Sequence, residues 1–375
     1  MTAMERIALS TPDLRGREAE YLAQCVRDNW VSSAGPFVVA MEERMAVLTA
    51  RRHAIATVNG TAALHLAVMA AGVASGDLVI VPDWTFAATA AAVVHAGAQP
   101  YFVDVTRDTW TLDPELVDAA IRKAPHKVGA VIAVHVSGLP ADMDGLALVC
   151  SRHGIPLIED AAGAIGSRYR DRPAGSFGQI SCFSFNGNKT VTAGGGGMLL
   201  TDDDQIAGFV RSRSTTARKG AEYEHEAVGW NYRMTNVNAA IGIAQLERLD
   251  EMVAAKQHIA ARYDAALVNR PDIRPMPRPS WAEHNCWLYN AQVADEVGAG
   301  SLVALLGSQQ IEARRFWRSL SSQEPYATAP RMLKGVSRDL SGSVVTLPCS
   351  SHLTNSDQDR VIATLHAWRD KAIAA

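Results

Sequence analysis

The sequence lacks the features that mark secreted, membrane-spanning and zinc-binding proteins. Its five cysteines are dispersed and form no CxxC pair, so neither a disulfide framework nor a zinc site is indicated. Asp13, Arg15 and Arg17 follow soon after a short, weakly apolar start, which argues against a signal peptide. Uncharged apolar runs fall short of the roughly 20 residues that a membrane span needs. We therefore expect a soluble, cytoplasmic protein.

An excess of basic residues is also missing. The net charge of −3 argues against electrostatically driven binding to nucleic acid. The chain has no GxxxxGK[ST] loop and no GxGxxG in a strand–helix context, so a nucleoside-triphosphate or dinucleotide site is not indicated. We expect small-molecule partners, with no nucleic acid, no membrane and no bound metal.

The remaining sequence has the composition and pattern of an α/β enzyme. With 375 residues, of which 48% are hydrophobic and 20% charged, the chain can bury one large core and a smaller one. Strand-like and helical segments alternate through about residue 240, which predicts βαβ units and a mostly parallel sheet. The clearest candidates are strands at 78–81, 99–103, 128–134 and 197–200 and helices at 114–123 and 146–153.

Proline marks a change in organisation after the alternating region. A long helix is predicted from about 236 to 269, and Pro271, Pro275, Pro277 and Pro279 then break the pattern as a hinge would. We predict a large domain over residues 1–250 and a small α+β domain over 251–375, connected by this helix.

Lysine is scarce, and one lysine stands in an unusual setting. Of the seven lysines, Lys189 alone follows an apolar, strand-like segment at 183–185. Desolvation disfavours the ammonium form and makes the amine a nucleophile for a carbonyl carbon. Lys189 is therefore a candidate Schiff-base lysine, although a lysine in a surface hairpin is the alternative. The others stand in polar or mixed surroundings that predict surface positions: Lys123, Lys127, Lys219, Lys256, Lys334 and Lys371.

An acidic pair provides a partner for this lysine. The apolar segment 154–158 predicts a short strand that carries Glu159 and Asp160 to its carboxyl end, where ligands bind in open α/β sheets. A carboxylate there can hold a pyridinium N–H by a charge-assisted hydrogen bond, as pyridoxal phosphate requires. Ordinary capping of a following helix is the alternative role for such a residue.

A third segment fits a phosphate group. Residues 54–58 are predicted as a strand, 59–61 as a turn and 62–69 as a helix. Asn59 and Thr61 are candidate helix caps, and Gly60 allows the backbone to approach a ligand closely. The amides of the first turn and the helix dipole then form an anion site. Junctions of this kind are frequent in α/β chains. This one supports a phosphate site only in combination with the segments that carry Lys189 and Asp160.

Together these segments resemble the DegT/StrS group of pyridoxal-phosphate-dependent sugar aminotransferases, which have the type I fold of aspartate aminotransferase. The resemblance covers nearly the whole chain and keeps the order of the family. It implies a large domain with a mostly parallel mixed sheet sandwiched by helices, and a small C-terminal α+β domain. The matching segments are WVSSAGP (30–36), NGTAAL (59–64), PDWTFAAT (82–89), GAQPYFVDV (97–105), EDAA (159–162), FSFNGNK (183–189), GWNYRM (229–234) and LPCSSHLT (347–354).

The resemblance implies a cofactor, pyridoxal 5′-phosphate, and a role for each site residue. Lys189 forms the Schiff base with the cofactor, Asp160 pairs with the pyridine nitrogen and Phe86 stacks on the ring. The backbone at Gly60 and Thr61 and the hydroxyl of Ser184 hold the phosphate. Asn231 reaches that phosphate from the neighbouring subunit of a homodimer. Each has a structural alternative: Phe86 could belong to the core, Ser184 could be a satisfied strand hydroxyl, and Asn231 could be a turn residue.

The resemblance also implies the reaction. It is the amination of a keto sugar with glutamate as amino donor, and the acceptor that the resemblance favours is a nucleotide-linked 4-keto-6-deoxy sugar. Ser33, Arg233, Arg315 and Trp317 are the candidate substrate-binding residues.

Three positions depart from the family pattern. Many relatives carry Gln, His or Glu where this chain has Gly163. In the segment that commonly reads Trp-x-Pro-Leu-His, Ser319 and Ser321 replace the Pro and the His. The substrate assignment is the inference that these departures affect most.

Three other functions remain as alternatives. A cofactor-linked sugar dehydratase on the same scaffold would carry histidine in place of Lys189. A non-catalytic sensor of nucleotide sugars would be free to lose Lys189 or Asp160. A class I aldolase would use a Schiff-base lysine but would need neither a phosphate cradle nor the Asp160 partner. The residues present therefore favour an aminotransferase.

Overall fold

The computed structural model describes residues 5–369 of the chain. Over this range the strands are β1 (His53–Thr57), β2 (Leu78–Pro82), β3 (Gln99–Val103), β4 (Val128–Val134), β5 (Leu157–Asp160), β6 (Arg168–Tyr169), β7 (Arg172–Pro173), β8 (Ile180–Ser184), β9 (Gly197–Thr201), β10 (Arg218–Lys219), β11 (Glu224–His225), β12 (Arg274–Pro275), β13 (Ala282–Glu283), β14 (Tyr289–Gln292), β15 (Arg314–Arg315), β16 (Arg331–Met332) and β17 (Val344–Leu347). The α-helices are α1 (Glu18–Arg27), α2 (Pro36–Thr49), α3 (Gly60–Ala70), α4 (Ala87–His95), α5 (Pro114–Lys123), α6 (Met143–His153), α7 (Asp204–Ser214), α8 (Asn236–Leu246), α9 (Leu249–Leu267), α10 (Glu296–Ser308), α11 (Val336–Leu340) and α12 (Asn355–Ala367). Short 3-10 helices occupy Val136–Gly138, Leu320–Ser322 and Glu324–Tyr326.

The largest sheet has the strand order β1-β9-β8-β5-β4-β2-β3-β16. Strand β9 runs antiparallel to both of its neighbours, β1 and β8, and all the other pairs in this sheet are parallel. The mostly parallel mixed sheet is therefore confirmed. Because β1, β2, β4, β5 and β8 point the same way, their carboxyl ends meet at one edge of the sheet.

Helices cover both faces of this sheet. Strands β2 and β4 are apolar along their whole length and fully buried, as expected for strands that face helices on both sides. Side chains of α5 and α6 pack with one set of strand side chains, and those of α3, α4 and α7 pack with the alternate set. The helix–sheet–helix layering of the type I fold follows from this alternation.

The C-terminal part of the chain builds a second sheet with its own core. Its order is β12-β14-β17-β15, with every pair antiparallel, and α9, α10 and α12 pack on it. Ile7 from the N-terminal segment packs in this core and pairs with Ile311. Conversely, β16 joins the large sheet beside β3. The predicted limits at residues 1–250 and 251–375 stay a prediction.

The single long helix predicted over 236–269 is wrong. The segment forms two helices, α8 and α9, with a break at Glu247 and Arg248. The guanidinium of Arg248 bonds to the carboxylate of Asp13, and the side-chain amide of Gln245 donates to the Asp13 carbonyl. Contacts with the distant N-terminal segment thus fix the turn, and no local sequence signal reports them.

One lysine prediction is also wrong. Lys256 is buried on α9, where its ammonium donates to the backbone carbonyls of Trp287 and Cys349. The exposed positions predicted for Lys123, Lys127, Lys219 and Lys334 are confirmed, and Lys371 lies outside the described residues.

Two further observations concern the cysteines and the lengths of the helices. All five cysteines are buried free thiols. Between residues 5 and 369, the helices are too short or too polar to traverse a lipid bilayer.

A buried carboxylate ties the C-terminal part to the large sheet. Asp104, directly after β3, is fully buried and accepts hydrogen bonds from five backbone amides. Burial alone would raise the pKa of this carboxyl, but the bonds from Ser337 and Val105 outweigh it and keep the pKa below its ordinary value. The amides belong to Val105, Lys334, Gly335, Val336 and Ser337, at 2.6–3.0 Å.

We expect Asp104→Asn to lower the free energy of unfolding by about 2–4 kcal/mol, because the new amide group places a donor against backbone donors. The melting temperature of the full chain measures this loss. The exposed Asp108→Asn removes the same charge and should change little. The loss should shrink on acidification, because a carboxyl with a lowered pKa stabilises the fold above its unfolded pKa and loses that contribution as the pH falls through its folded pKa. Equal melting temperatures for both variants would contradict this role of Asp104.

Candidate active site

The carboxyl edge of the large sheet opens into a cavity of about 670 Å³. The segments that follow β1, β2, β4, β5 and β8 all contribute side chains to its wall. Residues from the C-terminal part close the opposite side, among them Trp287, Arg315 and Trp317. The cavity therefore lies between the two sheets. It is also at the carboxyl ends of the strands, where ligands of open α/β proteins bind.

Lys189 lies in this cavity, in the loop between β8 and β9. Burial lowers the pKa of its ammonium from 10.5 to about 7, because the charged form is poorly solvated there. The carboxylate of Asp160 acts in the opposite direction and favours the charged form. Near neutral pH a large fraction of this amine is thus unprotonated and able to attack a carbonyl carbon.

Asp160 closes strand β5 and lines the same cavity. Its carboxylate accepts a hydrogen bond from the hydroxyl of Thr89 at 2.7 Å and from the amide of Ala162 at 3.2 Å. Burial raises the pKa of this carboxyl, and those two bonds and Lys189 oppose the rise. The capping alternative is excluded as its main role, because the side chain faces the cavity and no helix follows β5 directly.

Glu159, the other member of the acidic pair, has a structural role. Its fully buried carboxylate accepts hydrogen bonds from the amides of a turn at 175–178 and from Nε2 of His135, and Arg51 lies 3.5 Å away. Burial would raise the pKa of Glu159, but the contact with His135 reverses the shift and holds it low. The amide of Ala141 donates to Nδ1 of His135, which leaves Nε2 as the donor to Glu159. His135 is therefore structural.

The predicted phosphate site has the expected local geometry. The side chain of Asn59 caps α3 by accepting a hydrogen bond from the Ala62 amide at 2.8 Å, whereas Thr61 lies within the helix and is not the cap. The amides of Gly60 and Thr61 precede the first intrahelical bond, and both residues line the cavity. A Cβ on Gly60 would lie 2.8 Å from Cβ of Ser184, so only glycine allows this close approach.

Ser184 and Phe86 complete the cofactor side of the cavity. Between residues 5 and 369 the hydroxyl of Ser184 makes no hydrogen bond, so it is not a satisfied strand hydroxyl. Phe86 precedes α4 and lines the cavity with 58% of its surface exposed. The alternative that it belongs to the core is therefore wrong. Trp84, two residues earlier, is fully buried and donates its indole N–H to the carbonyl of Trp317.

Charged and aromatic residues form the outer rim. The ring of Trp317 lies 6.1 Å from that of Phe86 and stacks on Phe316 at 4.1 Å. Arg315 lines the cavity, and its guanidinium binds the exposed carboxylate of Glu296 at 2.6 Å. The side chain of Arg314 lies beside it in the cavity wall.

The two serine departures lie behind this rim. Ser319 and Ser321 are buried and do not line the cavity among the described residues. The Ser319 amide donates to the hydroxyl of Ser341, which a proline at this position could not do. The Ser321 amide donates to the buried carboxylate of Asp83. Both departures therefore affect packing behind the cavity.

Three predicted residues lie elsewhere in the single chain. Asn231 is exposed in the segment after β11 and does not line the cavity that contains Lys189. Ser33 and Arg233 line a separate groove with Met234. The turn alternative for Asn231 is not supported, because its backbone forms an antiparallel bridge with Thr215.

The sequence interpretation missed two contributors to the site. Thr89 orients Asp160, and its signal was its place in the segment 82–89 that follows a strand end. Trp287 covers the amine of Lys189, with Nζ 3.4 Å from the ring centroid. The only sequence signal for Trp287 was indirect: Gly163 lacks the side chain that would otherwise occupy its space.

Comparison with known proteins agrees with this geometry. The model of the DegT/DnrJ/EryC1/StrS aminotransferase family matches residues 12–366. The chain belongs to this family. It is 37% identical over 369 residues to the GDP-perosamine synthase of Caulobacter vibrioides, covering 97% of this chain and 99% of the relative. It is also 37% identical over 369 residues to EpsN of Bacillus subtilis, whose name describes a pyridoxal phosphate-dependent aminotransferase, covering 96% of this chain and 95% of EpsN.

A solved structure extends the likeness to three dimensions. The crystal structure of DesI, determined in the presence of its TDP-sugar product, superposes with a TM-score of 0.87 at 31% identity. The alignment covers 96% of this chain and 92% of DesI. The predicted family and type I fold are therefore confirmed, and this member of the DegT/DnrJ/EryC1/StrS family is a pyridoxal-phosphate-dependent aminotransferase.

The residues present fit pyridoxal phosphate. Lys189 offers a neutral amine for its aldehyde, and Asp160 offers a carboxylate for the pyridine nitrogen. The free amides at the start of α3 and the unpaired hydroxyl of Ser184 suit a phosphate, and the exposed ring of Phe86 lines the cavity, where it suits stacking on the pyridine ring. When bound, the cofactor would supply an electron sink for negative charge that develops on the α-carbon of the amino donor. The assignment of single residues to its parts stays a prediction.

The lowered pKa of Lys189 predicts how cofactor-free protein captures pyridoxal phosphate. Only the neutral amine bonds to the aldehyde carbon, with loss of water, so the rate should rise with pH, pass its midpoint near pH 7 and level off. Stopped-flow absorbance measures this rate, and Nα-acetyl-lysine under the same conditions corrects for ionisation of the cofactor. A rate that continues to rise towards the ordinary lysine pKa would contradict the desolvated amine.

Proposed function

We propose that this aminotransferase aminates a keto sugar, namely a 4-keto-6-deoxy sugar linked to a nucleotide, and takes the amino group from glutamate. The observation that carries the proposal is the amine of Lys189, with its pKa lowered to about 7, in one cavity with Asp160 and the phosphate-binding start of α3. A relative named GDP-perosamine synthase and a structure with a TDP-sugar product support the nucleotide-linked sugar.

Lys189 and Asp160 divide the acid–base chemistry. Lys189 Nζ alternates between neutral and protonated forms near neutral pH, so it can serve as the general base and then the general acid of a 1,3-proton shift. The proton would leave the α-carbon of the amino donor and return at the carbon that carries the aldehyde of the cofactor. Asp160 holds the positive charge of the pyridine nitrogen, and Thr89 keeps its carboxylate in place. Asp160 is buried and Lys189 is half-buried under the ring of Trp287, which limits the access of water that would compete for the proton.

The rim supports a large anionic substrate. The cavity of about 670 Å³ extends from Lys189 to Arg314 and Arg315, so a molecule longer than the cofactor can be held. Guanidinium groups bind phosphate oxygens in a bidentate manner, which suits a nucleoside diphosphate. Arg315 already binds Glu296, and this pair at the surface is weak enough to exchange for a phosphate. Trp317 provides an apolar face for the deoxy-sugar ring.

The same residues disfavour the three alternatives. A sugar dehydratase of this scaffold would have histidine in place of Lys189. A sensor would have no use for an amine whose pKa is near 7 beside an oriented carboxylate. An aldolase would have no use for Asp160 and the phosphate cradle. The intact set supports transamination.

A homodimer completes the site in this proposal. Asn231 lies on a segment fixed to the end of β1, where the amide of Val58 donates to the carbonyl of Tyr232. Its own side chain is exposed outside the cavity, so only a second chain could bring such an asparagine to the phosphate. Exposed apolar side chains lie near Asn231, and they are of the kind that a subunit contact covers: Val58 on the paired segment and Val228 three residues earlier in the chain. Ser33 and Arg233 would then face the substrate of the partner.

Two half-reactions test the proposed substrates. Glutamate should bleach the visible absorbance of the cofactor-loaded protein, and a GDP- or TDP-linked 4-keto-6-deoxyhexose should restore it. The same keto sugar without a nucleotide is the control and should restore it far more slowly, because it lacks the diphosphate that Arg314 and Arg315 bind. 2-Oxoglutarate should also restore it, because this is the reverse of the glutamate half-reaction. Recovery with 2-oxoglutarate but with neither of the nucleotide-linked keto sugars would contradict a sugar acceptor. Faster recovery with the GDP-linked keto sugar than with the TDP-linked one, or the reverse, identifies the nucleotide.

Complementation between inactive chains tests the shared site. Mixing Lys189→Ala with Asn231→Ala chains should restore activity, since one site of each mixed dimer contains both Lys189 and the partner's intact asparagine. With equal mixing, half of the dimers are mixed and one of their two sites is active, which gives about a quarter of wild-type activity.

The matched control pairs Lys189→Ala with Asp160→Asn. Both of these residues belong to the cavity of one chain, so no site of a mixed dimer is intact and activity should stay absent. Mass spectrometry of differently tagged chains confirms subunit exchange. Exchange without recovery in the first mixture, or an active monomer, would contradict the shared site.

A further inference from the structure

Trp287 covers the amine of Lys189. It directly precedes Leu288 and β14, is only 6% exposed and forms part of the cavity wall. Nζ of Lys189 lies over the face of its ring, 3.4 Å from the centroid. The indole N–H donates to the carbonyl of Asn188 at 2.7 Å. One side chain thus contacts both the reactive amine and the backbone just before it.

The backbone of Trp287 is held on both sides. Its amide donates to Oδ1 of Asn285 at 2.9 Å. Its carbonyl accepts from the buried ammonium of Lys256 at 3.3 Å and from the thiol of Cys349 at 3.4 Å. A side chain fixed in this way cannot follow the amine, so the position of the ring determines where the amine lies.

Gly163 provides the space for this ring. A Cβ at position 163 would lie 2.2 Å from Cε3 of Trp287, closer than any non-bonded contact allows, and the atom that it meets belongs to a rigid ring. The side-chain amide of Asn285 donates to the carbonyl of Gly163 at 2.9 Å, which couples the two segments directly. Gly163 and Trp287 are therefore a matched pair, and any larger residue at 163 would move the indole.

The other groups that face Lys189 do not hold its amine. The titratable or charged side chains that line the same cavity are His135, Asp160, Glu312, Arg314 and Arg315. Of these, Asp160 is the one whose charge acts on Lys189. Its carboxylate is already bonded to Thr89 and Ala162. Between residues 5 and 369, no oxygen or nitrogen acceptor lies within hydrogen-bond reach of Lys189 Nζ. The indole face is thus the contact that fixes it.

We propose that Trp287, in the space left by Gly163, is a positioning residue that holds the Lys189 amine and shields it from water. The proposal rests on the aminotransferase chemistry of the proposed function and is independent of which sugar is used. The ring excludes solvent from one side of Nζ, and its face accepts the N–H groups of the amine. The bond to Asn188 keeps the loop that carries Lys189 in register with the ring.

Two effects of the ring act on the amine in opposite directions. The ring face attracts a cation, which favours the protonated form. The ring also excludes water, which disfavours it. Burial is the largest cause of the lowered pKa of Lys189, about 7, and the ring over Nζ is part of what buries it, so we take exclusion of water as the larger effect of the ring. Removal of the ring therefore admits water and should move the pKa upward, towards 10.5.

The pH dependence of pyridoxal phosphate capture by the cofactor-free full chain tests the proposal without any sugar. Trp287→Ala should move the midpoint upward by about one pH unit or more, so the capture rate at pH 7 should fall roughly fivefold or more, because the neutral fraction of an amine falls from about one half to about one eleventh. Trp287→Phe keeps a ring face over the amine and should keep the midpoint close to that of the wild type. Trp281→Ala, the same change at a half-buried tryptophan outside the cavity, should leave the midpoint unchanged.

A second variant keeps the proposal testable if Trp287→Ala does not fold. Gly163→Ala should move the midpoint in the same direction, because its methyl group displaces the indole. Gly208→Ala is the matched control, since no atom lies within 4 Å of a Cβ at that position. A merely structural role would lower the melting temperature and leave the midpoint near pH 7. An unchanged midpoint in whichever of the two variants folds would overturn the proposal, and it would leave the amination of a sugar untouched.

Discussion

A buried carboxylate, that of Glu159, determines where the reactive groups of this protein lie. Isolation of a charge from water costs several kcal/mol unless hydrogen bonds and an opposite charge compensate it. Three turn amides, His135 and Arg51 supply that compensation here. They fix the ends of β4 and β5 and the turn at 175–178 together. Because neighbouring residues of a strand face opposite sides, fixing Glu159 directs Asp160 into the cavity.

Burial shifts the pKa values of Asp160 and Lys189, the two reactive groups of the cavity, in opposite directions. It raises the pKa of Asp160 and lowers that of Lys189, so both are driven towards their neutral forms, while their mutual attraction opposes both shifts. A cofactor that brings a pyridine nitrogen to Asp160 and an aldehyde to Lys189 gives each group a partner. The cavity is therefore suited to bind such a cofactor, because the charged forms of Asp160 and Lys189 are incompletely stabilised without one.

The sequence was sufficient for the parts of this design that are local. Apolar runs gave β2 and β4, Asn59 gave the cap of α3, and the apolar setting of Lys189 indicated a desolvated amine. It was insufficient where contacts join distant segments. The break between α8 and α9 depends on Asp13, and the burial of Lys256 depends on the carbonyls of Trp287 and Cys349. Neither leaves a periodic or motif signal near the residues concerned.

The departures from the family pattern act on the surroundings of the reactive groups and leave the groups themselves intact. Gly163 makes room for the indole of Trp287, and the face of this indole lies over the Lys189 amine. Ser321 anchors its segment to Asp83 behind the rim. With Lys189 and Asp160 unchanged, the reaction type is preserved. The choice of sugar then depends on the residues that line the open side of the cavity. Arg315 and Trp317 are two of them, and they directly precede the segment that carries Ser319 and Ser321.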